Sequence, residues 1–124
     1  MAGSYNTTGY RNGEGVPVLQ GQTAVTQATS ITTGVTCSAY TGVITTVSQT
    51  VAAGAEAEFV VTNTKVAATD VVVACIKTHT SAGLFFVACT AVAAGSFELT
   101  LTNLGAAAGN NVLVINFIVL KAQA

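Results

Sequence analysis

The sequence predicts an all-β fold, an antiparallel β-sandwich preceded by an extended N-terminal arm, and three observations carry that prediction. The residue types suit strands: of 124 positions, 21 are Ala, 20 are Thr and 18 are Val. Thr and Val are stiff at χ1 and pack well on a pleated surface, whereas Leu, Glu, Lys and Arg, which helices favour, are scarce. From Thr23 onward, short apolar runs are separated by Gly, Asn and Ser turns. Two of those runs alternate with period two. In 56–62, Ala57, Phe59 and Val61 oppose Glu56, Glu58 and Thr62; in 96–103, Phe97, Leu99 and Leu101 oppose Glu98, Thr100 and Thr102. Such a strand has one dry face and one wet face.

Residues 1–22 form the first element, an arm. The stretch holds the only proline and the only arginine, is rich in glycine, and shows neither strand nor helix periodicity. Its apolar points, Tyr5, Tyr10 and the cluster Val16, Pro17, Val18 and Leu19, are candidates for docking on a neighbouring subunit or on a larger surface. The alternative is a disordered tail. Residues 23–124 form the sandwich domain. Its strands are expected at 24–33, 35–38, 42–49, 56–62, 70–78, 84–92, 96–103 and 111–121, with 70–78 and 84–92 joined as a hairpin around Ala82-Gly83.

Two strands do not alternate. Val71 to Ile76 is apolar on both faces, and so is Val112 to Val119 apart from Asn116. In so small a domain a strand covered on both sides needs more than its own second sheet. This makes Val71, Val73, Val112, Val114, Phe117 and Val119 candidates for an oligomer interface. Loops covering a central strand are the alternative.

The segment VAAGAEAEFVVTN (51–63) matches VAAGSFELTLTN (92–103), and the match continues weakly from Asp70–Val73 to Asn111–Val114. Each unit is a turn, an amphipathic strand, an Asn-bearing loop and an apolar strand. Two such units stacked face to face make a sandwich, and a jelly roll is one such arrangement.

Charge and chemistry bound the function. The chain is 51% hydrophobic but 7% charged, with net charge −1 and no charged side chain between Gly15 and Ala55. A typical domain is about a quarter charged, so a monomer this bare has little protection against association. Burial against copies of itself answers that. Arg11, Lys65, Lys77 and Lys121 are scattered and Trp is absent, which argues against nucleic acid as a partner. No run reaches the length of a membrane span. Met1 to Asn6 shows no secretory signal, which predicts a chain made and kept in a cytoplasm or released by lysis.

The single histidine, His79, would have to serve any histidine-based site, and the nearby Asp70 and Ser81 form no nucleophile elbow. Cys75, His79 and Cys89 do not suit a metal, because His79 lies about 13 Å along the strand from Cys75. A symmetric hairpin would put Cys75 opposite Cys89, as packed free thiols or as a disulfide. Glu56 and Glu58 share a face as a solvated edge. The chain is therefore expected to be no enzyme, to carry no cofactor or metal and to take no small-molecule substrate.

Several pieces together resemble one family. TTGVT (32–36), GVITT (42–46), the twice-used AAG…F…TN and the closing LVINFIVL (113–120) look like small jelly-roll capsid decoration (cement) proteins of tailed bacteriophages. The resemblance covers about residues 26–122, and its motifs are structural. It implies a homotrimer on the capsid exterior, synthesised in the bacterial host cytoplasm, with the major capsid protein as partner and N-terminal segments reaching neighbours. The alternative is a trimeric tail-fibre or host-recognition module that binds carbohydrate. Such a module presents exposed loop aromatics, which here reduce to Tyr40 and Phe85.

Overall fold

A computed structural model describes residues 21–80 and 84–123. The expected contacts of the arm, Tyr5, Tyr10, Val16, Pro17, Val18 and Leu19, lie outside the described residues. Among those described there is no helix. The strands are β1 (Thr23–Thr26), β2 (Val35–Thr36), β3 (Thr41–Thr45), β4 (Gln49–Val51), β5 (Glu56–Thr62), β6 (Val71–His79), β7 (Phe85–Ala93), β8 (Ser96–Asn103), β9 (Gly109–Asn111) and β10 (Leu113–Leu120). They form a β-sandwich. One sheet has the order β1-β3-β10-β6, the second the order β2-β5-β8-β7, and β4 pairs with β9 at one end.

The centre of the fold is one long antiparallel ribbon. Residues 41–62 run against residues 96–118 in three successive segments, with Ile44 opposite Ile115, Thr50 opposite Asn110 and Phe59 opposite Leu99. The ribbon begins in the first sheet, turns through β4 and β9 and ends in the second. This winding makes the sandwich jelly-roll-like. The pairing is not wholly antiparallel, however: β1 lies parallel to β3, and β2 parallel to β5. The reason is the path of the chain, which visits the opposite sheet between the two members of each pair and so returns running the same way.

The internal repeat takes a form other than the expected one. Its two amphipathic strands, β5 and β8, pair side by side within the second sheet rather than facing each other across the core. Its two apolar strands, β6 and β10, pair side by side in the first. Phe59 and Leu99 are equivalent positions of the repeat and also cross-strand partners, so a local two-fold relates the units. Their turns match as well: Gly54 and Gly95 both have positive φ, 72° and 85°, a conformation open to glycine without strain. Asn63 N–H donates to the Gly95 carbonyl, and Asn103 N–H to that of Ala55, each unit capping the other.

Between the sheets lies an apolar core. Ala57, Phe59, Val61, Phe97, Leu99 and Leu101 enter it from the second sheet, and Ile44, Leu113, Ile115, Phe117 and Val119 from the first. Phe97 and Phe117 meet edge to face across it, with centroids 5.0 Å apart, the arrangement that ring quadrupoles favour.

Several expected boundaries move for local reasons. The strand expected at 24–33 ends at Thr26, because Gln27 is buried and the chain wraps around it. Its Nε2 donates to the carbonyls of Ile31 (2.9 Å) and Thr33 (2.7 Å), and Thr29 has φ 69°, which no strand accommodates. The expected hairpin of 70–78 with 84–92 does not form. β6 and β7 follow one another in sequence but belong to opposite sheets, each held along one side by a different strand, β10 or β8.

One ionic clip ties the two strands of the first sheet together where β6 begins and β10 ends. The Asp70 carboxylate is buried and accepts from Lys121 Nζ, from Ala67 N–H (2.8 Å) and from Ala122 N–H (3.3 Å). The Lys121 ammonium beside it, together with those N–H donors, holds its carboxyl below the ordinary carboxylate range. A depressed folded pKa gives stability that is present above the unfolded value and lost as pH falls through the folded one. Wild type should therefore lose its advantage over Asp70→Asn progressively below about pH 4. Thermal melts of both proteins from pH 7 down to pH 2 check this. A constant difference in melting temperature would contradict it.

Candidate interaction surfaces

The two outer faces of the sandwich differ sharply. On the second sheet, alternation sends Glu56, Glu58, Glu98 and the threonines of β5 and β8 outward. Thr90 and Thr100 share a hydroxyl hydrogen bond of 2.8 Å, and Thr100 Oγ1 donates to Glu58 Oε1 at 3.1 Å. Glu56 and Glu58 thus sit on a hydrated, hydroxyl-rich face, as a solvated pair would.

The outer face of the first sheet is mostly apolar, with Lys77 on β6 and Thr41 and Thr45 on β3. β10 alternates, with Leu113, Ile115, Phe117 and Val119 buried and Val114, Asn116 and Ile118 half-buried on the outside. β6 sends Val72 inward and leaves Val71 and Val73 about half exposed, at 51% and 50%. Cross-strand register lines these up in rows: Leu120 with Val71, Ile118 with Val73, and Asn116 between Cys75 and Val43. At the centre, the Oδ1 atom of Asn116 is shut off from solvent and accepts no hydrogen bond.

The six interface residues expected from sequence therefore divide. Val71 and Val73 lie on the outer face, and Val114 is half-buried there. Val112 is half-buried just before β10, with its N–H donating to Thr80 Oγ1 at 3.0 Å. Phe117 and Val119 point the other way and are 2% and 3% exposed. Both belong to the core, which corrects the expectation for these two. Gly42 explains the phase: the Phe117 ring covers it, and a Cβ there would lie 2.4 Å from Phe117 Cε1.

Between the open edges of β6 and β7 runs an apolar groove of about 320 Å³, lined by Ala74, Cys75, Ile76, Phe85, Phe86 and Val87. No acid, base or charged group lines it. Phe85, expected as a loop aromatic, is half-buried in β7 against the core. Tyr40 is 36% exposed, and Lys65 Nζ stands 5.8 Å from its ring centroid, so a cation already occupies the aromatic face.

The groups that chemistry would need are apart or otherwise engaged. Asp70 precedes β6 and His79 ends it, so extended chain of about 30 Å separates them. No group of three His, Cys, Asp or Glu side chains that could hold a metal occurs among the described residues. Cys37, Cys75 and Cys89 are all free, which leaves no Cys75–Cys89 disulfide. Burial pushes the thiols of Cys37 and Cys89 up, which keeps them protonated and poor nucleophiles at neutral pH.

Sequence reasoning missed the buried amides of Gln27, Asn63 and Asn103 and the Asp70–Lys121 clip. The repeat did mark Asn63 and Asn103 as equivalent, and that was the one signal available. Compared with known proteins, the chain matches no family model, no curated protein and no solved structure.

Proposed function

We propose that the protein is a structural virion component, a capsid decoration (cement) protein that binds the outer capsid surface as a homotrimer and stabilises the shell. The observation that carries this reading is the polarity of the sandwich. The outer face of the first sheet is mostly apolar, with Lys77 on β6, while that of the second carries Glu56, Glu58 and Glu98 beside exposed Val60 and Phe86, and the polar groups buried between them serve the fold. Such a body suits attachment and self-association. Burial of apolar area, at about 25 cal/mol per Å², repeated over many symmetric copies, reinforces a shell without any reaction. The resemblance of its short motifs to those of phage decoration proteins gives the reading its biological setting.

Fractionation of particles from an infected-cell lysate tests it, with mass spectrometry of tail-less heads and of separated tails. The protein is expected in the head fraction at a fixed ratio to the major capsid protein. Recovery in tail fibres alone would replace this reading by the fibre module, and absence from particles would remove both.

A further inference from the structure

We propose that the two bulges on the open flank of the sandwich, at Lys77 in β6 and at Thr90 in β7, are stops against further strand addition. The Lys77 charge is the part on which this depends. β6 and β7 are nine residues long and end their sheets; among the described residues each is paired along one edge only, with β10 or with β8. The other edge of such a strand presents a row of backbone N–H and C=O groups, a template for any extended chain. The side chains sharpen the hazard. Val71 to Ile76 has high strand propensity and no charge, Pro or Gly, and the same holds for Phe85 to Val92. Segments of that composition assemble as stacked strands. Beside them, Ala74, Ile76, Phe85 and Val87 face the core but stay half-buried along the groove.

Both ladders are interrupted. Thr78 pairs with Val114 and Ile76 with Ile115, so Lys77 is an extra residue without a partner on β10. Likewise Cys89 pairs with Leu99 and Ala91 with Glu98, which leaves Thr90 over. A bulge bends and twists its strand, so a straight incoming strand loses register with it. Each bulge also has a charge at hand. Lys77 is exposed and is the only Lys, Arg, Asp or Glu on either strand. At the other bulge, Thr90 Oγ1 stands 3.5 Å from Glu98 Oε1. A strand laid past Ile76 would strip water from the Lys77 ammonium without giving it a partner, which burial penalises heavily.

The stops act against open-ended growth and do not depend on the trimer proposed above. A closed ring of copies ends, whereas addition edge to edge does not.

Charge-matched substitutions test the role of Lys77. Lys77→Val, Lys77→Thr and Lys65→Val each take the net charge from −1 to −2, which by itself opposes association. Lys65 is exposed in the loop between β5 and β6, outside both edge strands. In sedimentation velocity and thioflavin T assays of the full chain, both Lys77 variants should form species larger than the wild-type particle. They should do so at concentrations roughly tenfold lower than wild type, while Lys65→Val should behave as wild type. Hydrogen exchange read by mass spectrometry should be slower across 71–79 in those species, because the open edge has gained a partner. Lys77 variants that grow no more readily than wild type would overturn the proposal. Equal growth of Lys65→Val would assign the effect to overall charge, and growth of Lys77→Val alone would assign it to added apolar surface; either overturns the role of Lys77. Unchanged exchange across 71–79 would place the growth elsewhere and overturn the edge. Far-UV circular dichroism checks the fold, and its loss in both Lys77 variants would make Lys77 a support of β6 rather than a stop.

Discussion

Asn103→Leu should destabilise the protein by about 2–4 kcal/mol, although leucine matches asparagine closely in size. The side chain is fully buried. Its Nδ2 donates to the carbonyls of Val51 and Ala107, both at 3.0 Å, and its Oδ1 accepts from Gly105 N–H at 2.9 Å. Leucine supplies none of these, and a buried carbonyl left without a donor costs about 1–3 kcal/mol. The loop at 104–107 can recover solvent, whereas the buried Val51 cannot. Asn63 occupies the equivalent place in the repeat but makes two such bonds, to the Ala39 carbonyl (2.7 Å) and from Lys65 N–H (3.0 Å). Asn63→Leu should therefore cost less than Asn103→Leu. Urea unfolding of the three proteins checks the order. Equal midpoints, or a loss below about 1 kcal/mol for Asn103→Leu, would show that the amide is not the strut this geometry describes.

Gly42→Ala should cost about 3 kcal/mol by overpacking, an unusual penalty for adding one methyl group. The new Cβ would stand 2.4 and 2.5 Å from Phe117 Cε1 and Cζ, and 2.8 Å from Cys37 Sγ. A flexible side chain would yield cheaply, but Phe117 is buried, opposes Gly42 across the ladder and is held edge to face by Phe97. The ring cannot move without disturbing both sheets. Phe117→Leu in the same chain should relieve the clash, so the double variant should be more stable than the sum of the two losses predicts. Thermal or urea unfolding of the four proteins closes the cycle, and strict additivity would refute the proposed contact.

Much of the architecture was legible. The strands at 56–62 and 96–103 were read to the residue, because Glu and Thr alternating with Phe, Leu and Val leave one register open to a buried face. The repeat was visible too, but not its geometry: similarity says that two units are alike, and only backbone pairing decides whether they face each other or lie side by side. The apolar strands were harder for a related reason. Where both faces are apolar, period two gives the alternation without its phase, so Phe117 and Val119 could not be told from Val114 by pattern. The apolar outer face of the first sheet was half legible, in Val71 and Val73 but not in the enclosed amide oxygen of Asn116.

By itself, the chain's composition and alternation determined an all-β sandwich with little charge, since strand propensity, turn residues and the inventory of charged side chains are local properties. Tertiary structure alone decided which edge of each strand found which partner, and so which residues faced inward. Gly42 lies more than seventy positions from Phe117, yet its missing side chain makes room for that ring and sets the phase of the last strand. Once that ring turns inward, Val114, Asn116 and Ile118 must turn outward, because neighbouring side chains on a strand point to opposite faces.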